Sequence, residues 1–142
     1  MKKVLITQSN YIPWKGYFDA INTVDEFIIY DDMQYTRRDW RNRNIIKTPQ
    51  GPVWLTIPVE VKGKYHQKIR DTKISDPHWA SQHLKAINLN YAKSLHYKDV
   101  WDFVEHLYKT VNFTFLTEIN HFFLTEICKW MGITTPFRFS SE

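Results

Sequence analysis

Gln8-Ser9-Asn10-Tyr11-Ile12-Pro13-Trp14-Lys15-Gly16-Tyr17-Phe18 joins two stretches of different periodicity. Before it, Lys3-Val4-Leu5-Ile6-Thr7 is a short apolar run with β-branched residues and reads as a buried strand. After it, Tyr17-Phe18-Asp19-Ala20-Ile21 begins a helical pattern. A strand that leaves through a polar turn and restarts as a helix is the repeating unit of open α/β sheets. In such sheets the strand's carboxyl end and the helix's unpaired N–H groups face one crevice, where ligands collect. The turn offers Tyr11, Trp14 and Tyr17 as faces for a sugar or a nucleobase, and Gly16 lets the backbone approach a phosphate. Lys15 supplies a point charge, and Gln8 and Asn10 complete this set of ligand-binding candidates. The plain alternative is a hydrophobic loop that plugs the core.

Further along, Glu26-Phe27-Ile28-Ile29-Tyr30 is a second buried strand, ending in Asp31 and Asp32. Two carboxylates at a strand end can bind a divalent cation, orient a hydroxyl or act as a general base, and they are the catalytic candidates. They are equally common as solvated turn residues. The turn at Pro49-Gln50-Gly51-Pro52 separates Ile45–Thr48 from Val53–Val59, so a β-hairpin is expected there, with Pro58 at an edge or a strand end. Ile69 to Ile74 reads as a further short strand.

The second half changes period. Ser75 or Asp76 can cap a helix with Pro77 in its first turn, and Ala80, Leu84, Ile87 and Tyr91 keep one apolar face. Tyr97, Trp101, Val104, Tyr108 and Val111 repeat the spacing, as do Leu116, Ile119, Phe123, Ile127 and Trp130 before Gly132 ends the helix. Thr135 to Ser140 reads as extended. The fold expected is α/β: a small open, mostly parallel sheet with a β-hairpin insertion in the first half, covered by three helices from the second. At 142 residues the chain has material for one core, and no linker divides it.

The formal net charge of +4 hides an asymmetry. Between Arg37 and Lys73 there are ten basic residues against three acidic ones, so the remainder is net acidic and the positive charge points to an anionic ligand at one place. Its densest part is Arg37, Arg38, Trp40, Arg41, Asn42, Arg43 and Asn44. Arginine suits bidentate phosphate recognition. If this run is extended, Arg37, Asp39, Arg41 and Arg43 share one face and Arg38, Trp40, Asn42 and Asn44 the other. Six scattered histidines and one cysteine, Cys128, form no cluster with metal spacing, so no structural zinc site is expected. The unpaired cysteine, the short N-terminal apolar run and the lack of a membrane-length stretch lead to the expectation of a cytoplasmic protein without membrane insertion.

QSNYIPWKGYFD, followed by EFIIYDDMQYTRRDWRNRNIIKTPQGPVWLTIPVEVKGKY, closely resembles the N-terminal part of the WbqC-like family. The resemblance is dense over residues 3 to 74 and weaker to Glu142. It implies a bacterial or archaeal protein associated with O-antigen, lipopolysaccharide and other surface-polysaccharide synthesis. Many members of that family carry His where Thr7 stands and Pro where Ser9 stands, so a mechanism needing a histidine at the first strand's end is not expected here. Members are also usually longer, and the single domain over residues 1–142 is read as open to a C-terminal continuation.

Two functions of different class follow. In the first, the chain is a transferase or ligase acting on a nucleotide-activated sugar, acylating or aminoacylating a sugar amine, with ATP as cofactor by fold analogy or a divalent cation held by Asp31 or Asp32. In the second, it is a non-catalytic module for nucleic acid or another polyanion, since basic patches with interleaved aromatics bind single strands by stacking. An enzyme should gather Asp31 or Asp32, Arg41 and Tyr11 around one concave pocket; a nucleic-acid binder should spread its charges along an open groove.

Overall fold

The computed structural model describes every residue from Met1 to Glu142. β1 (Val4–Thr7), α1 (Lys15–Asn22) and β2 (Glu26–Ile29) form the strand-turn-helix-strand unit expected from the opening stretch. β3 (Arg43–Thr48) and β4 (Gly51–Thr56) make the antiparallel hairpin, and α2 (Trp79–Tyr91), α3 (Tyr97–Thr110) and α4 (Leu116–Trp130) are the three helices of the second half. The chain then returns as β5 (Phe137–Phe139), which pairs with β2. The sheet is parallel, in the order β1-β2-β5.

Register decides which face is covered. Leu5, Phe27 and Phe137 stand side by side. They pack on Tyr17, Phe18 and Ile21 of α1 and on Leu124 and Cys128 of α4. The alternate residues, Ile6, Ile28 and Arg138, point to the opposite face. There Val4 and Ile6 are 41% and 58% exposed, so this parallel sheet has helices on one side only. Glu26, on the same face, is held between Lys2 (2.6 Å) and Arg138 (2.8 Å).

A second core lies between the hairpin and the helices, built on Ile57, Ile69, Trp79, Leu107, Leu116, Ile119 and Phe123. α4 serves both cores, giving its first turns to one and Leu124 and Cys128 to the other. Burial raises the Cys128 thiol to about 11, so it stays protonated and acts as a small apolar side chain. Gly132, at φ +76°, closes α4, with Ile133 N–H on the Cys128 carbonyl (2.8 Å) and Gly132 N–H on that of Lys129 (3.1 Å).

Three expectations are corrected. Ile69–Asp71 is a 3-10 turn, and beyond it only single bridges form, Val59 to Ile74 and Lys73 to Phe115, because the segment threads between the hairpin's exit and α4. α2 begins at Trp79, after an Asp76 carboxylate has accepted the His78 N–H (2.8 Å) and so used the capping group one turn early. The arginine-rich run turns between Arg37 and Arg41 and becomes extended only at Arg43, so its side chains do not alternate between two faces.

Candidate functional site

The loop that leaves β1 is held from beneath by one carboxylate. Asp31, 2% exposed at the end of β2, accepts the Ser9 N–H (2.8 Å), the Ser9 hydroxyl (2.6 Å) and the Thr117 hydroxyl (2.5 Å). Asn120, one turn along α4 from Thr117, donates to Ser9 Oγ and to the Arg41 carbonyl, each at 2.9 Å. The Asp31 side chain therefore joins the ends of two strands to a helix. Three donors on one anion satisfy it without a cation.

Above this node the loop is fastened to the arginine-rich turn. The Arg41 guanidinium donates to the Asn10 side-chain oxygen and lies 3.6 Å from Asp39. Asn44 donates to the Ile12 carbonyl and accepts the Ile45 N–H (2.7 Å). That clasp holds Ile12 at φ +40°, a conformation costly for a β-branched residue and concentrated at functional loops. Asn42 is buried and donates to the Ile57 carbonyl (2.8 Å).

Between the two loops lies a cleft of about 240 Å³ lined by Asn10, Pro13, Trp14, Trp40 and Asn44. Trp14 is 63% and Trp40 46% exposed, a large apolar area left in water. Gly16 has a local reason: a Cβ there would meet Trp14 Nε1 at 2.5 Å, so the glycine makes room for the indole. Outside the cleft, Trp40 leans on Trp54 with ring centroids 5.4 Å apart. The Arg43 guanidinium lies 3.9 Å above the Trp54 ring. The oxygens of Asn10 and Asn44 each accept one hydrogen bond from the protein, and the two indoles supply the exposed apolar wall of the cleft.

The other two aromatics of the opening stretch turn inward. Tyr11 is 1% exposed, and its hydroxyl meets that of Tyr108 and Nδ1 of His83 (2.9 Å), whose Nε2 lies 3.0 Å from the Thr56 carbonyl. The carbonyl can only accept, so Nε2 carries the hydrogen and Nδ1 accepts from Tyr11. Burial holds His83 below the ordinary histidine value and raises Tyr11 and Tyr108 above the ordinary tyrosine value. Tyr17 is buried too, donating its hydroxyl to the Gln8 carbonyl (2.7 Å).

The model of the WbqC-like protein family matches residues 8–142. The chain belongs to the WbqC-like family. It is similar to uncharacterized protein Rv1507c of Mycobacterium tuberculosis, 55% identical over 135 residues, which is 95% of this chain and 58% of that protein. The WbqC-like chain thus spans less than two thirds of the length of this curated relative. No solved structure matches it.

The remaining candidates of this WbqC-like chain lie apart from the cleft lining or at its rim. Asp32 points away from Asp31 and is bound by the Ser140 hydroxyl (2.6 Å), Arg70 (2.7 Å) and Lys68 (3.5 Å). The Ser140 hydrogen bond first, and then the two cations, hold its carboxyl below the usual range. With both strand-end carboxylates engaged in this way, the pair does not present the free oxygens a divalent cation requires, and no group of three or more His, Cys, Asp or Glu converges elsewhere. Lys15 and Arg38 are exposed, Arg38 at φ +58° with its carbonyl bound by Arg43. Arg37 belongs to a separate hollow with Lys64, Tyr65 and Gln67.

Sequence reasoning missed four residues that matter here. Thr117 and Asn120 are polar positions beside the apolar stripe of α4, which was their only signal. Ser9 registered only as a departure from the family pattern, and Trp54 was absorbed into a strand.

Proposed function

We propose that the Trp14–Trp40 cleft binds the ring of a nucleotide-activated sugar, and that the protein serves surface-polysaccharide synthesis. The observation that carries this reading is the pair of half-exposed indoles across a cleft of about 240 Å³, bordered by the Arg37–Arg43 turn. That volume lies below the roughly 300–1,000 Å³ of a whole-ligand pocket, so it suits one ring, with the phosphates outside among the arginines. Asp31 is read as the group that positions Ser9 and the loop. The acyl or aminoacyl transfer of the first reading is assigned no catalytic residue, since the strand-end acids do not line the cleft.

A thermal-shift panel of uridine, thymidine and guanosine diphospho-sugars tests the reading. A ligand at a hundredfold its Kd should raise Tm by roughly 5–10 °C, and Trp40→Ala should abolish the rise while remaining folded. A flat panel with folded protein refutes it. One observation supports a second reading, single-stranded nucleic acid: Trp40, Trp54 and Arg43 continue the aromatic and cationic surface outside the cleft. Oligonucleotide affinity that falls steeply with log salt would favour it, and no binding at low salt would end it.

A further inference from the structure

The corner where α2 passes into α3 has no role in the cleft and carries an unusual surface. Leu89 is 83% and Leu95 89% exposed, far more than solubility favours for leucine. From Pro77 to Lys98 the chain has no acidic residue, while Lys85, Lys93 and Lys98 are all exposed. The first acid beyond them, Asp99, lies 3.2 Å from His96. Between α2 and α3 lies a cavity of about 330 Å³, walled mainly by apolar side chains including Ile46, Ile87, Tyr91, Trp101 and Val104; neither leucine lines it. The Tyr91 hydroxyl accepts the Lys47 N–H (3.0 Å), tying this corner to the hairpin.

We propose that the α2–α3 corner docks on the surface of an anionic lipid membrane. The two leucines enter the interface and the three lysines face the headgroups. Charge complementarity selects this occupant: a stretch of 22 residues with lysines and no acids repels a cationic partner and matches a phosphate-rich leaflet. No helix is long and apolar enough to cross a membrane, and the contact proposed is with the surface alone.

Co-sedimentation of the full chain with vesicles of mixed phosphatidylcholine and phosphatidylglycerol tests this. The wild type should pellet with the mixed vesicles at low salt, pellet much less as salt rises, and stay in solution with pure phosphatidylcholine. Leu89→Ser with Leu95→Ser should abolish binding without changing the fold, because both side chains are in water already. Replacing Lys85, Lys93 and Lys98 by Gln should weaken partitioning on the order of a hundredfold. Failure of the wild type to bind mixed vesicles overturns the proposal, as does binding that survives the leucine double substitution. Sedimentation velocity showing a dimer dissolved by the same leucine changes, without lipid binding, would reassign the face to a second copy of the chain.

Discussion

Replacing Asp31 by Ala should destabilise the fold rather than silence a reaction. The carboxylate is 2% exposed and accepts three hydrogen bonds, from Ser9 N–H, Ser9 Oγ and Thr117 Oγ. A hydrogen bond to an ionised group contributes about 1.5–3 kcal/mol net, and a buried donor left without a partner costs about 1–3 kcal/mol. The three share one anion and are not additive, so we expect a loss of about 4 kcal/mol from a total of roughly 5–15 kcal/mol. Asp31→Asn should cost about 2–3 kcal/mol. Its amide oxygen must stay on Ser9 N–H, which puts the NH2 against Ser9 Oγ, already accepting from Asn120. Thr117→Val should cost about 2 kcal/mol, and the double variant with Asp31→Asn should cost less than the sum of the two. Urea unfolding at neutral pH measures this: at an m of about 2 kcal/mol/M, the Asp31→Ala midpoint falls by about 2 M. A loss below about 1 kcal/mol with unchanged m would refute the reasoning, because a carboxylate kept for chemistry can be removed with little effect on stability.

Gly16→Ala should leave stability nearly unchanged, a helix-propensity gain of up to about 1 kcal/mol offsetting the shift of Trp14, while Trp fluorescence and ring-ligand affinity change together. An unaltered emission spectrum would count against the indole's place over that glycine. His83 is neutral in the fold because burial lowers its pKa, whereas the unfolded chain takes up a proton near pH 6.5. Stability should therefore be full above about pH 6.5 and fall by up to about 1.4 kcal/mol per pH unit below it, until His83 itself titrates. His121, also lowered by burial, adds to the same slope, so the check is Tm against pH for His83→Gln and His121→Gln beside the wild type. A wild-type Tm flat from pH 7 to 5 would contradict both assignments.

Local signals in the chain were enough for the strand-turn-helix opening, the hairpin and the three helices, since each rests on periodicity or on Pro and Gly within a few residues. Elements set by distant partners were not legible in the same way. Ile69–Ile74 has strand composition but no neighbouring strand to complete a ladder, and it ends as a turn with single bridges. The opening stretch shows the same division. Its aromatic content pointed to a binding surface, yet Tyr11 and Tyr17 spend their rings and hydroxyls on the core, and only Trp14 reaches water. Which of three aromatics stays outside depends on His83, Tyr108 and α4, and none of these lies near in sequence.

The Asp31 node also sets a clock on synthesis. Thr117 follows Asp31 by 86 residues, and Asn120 follows Ser9 by 111. At roughly 5–20 residues per second, Asp31 waits about 4–17 s on the ribosome before its α4 partner exists. During that interval the edge of β2 that β5 will take is open, and α4 has yet to cover the Leu5–Phe27 side of the sheet. The nascent first half is the form most exposed to wrong pairing.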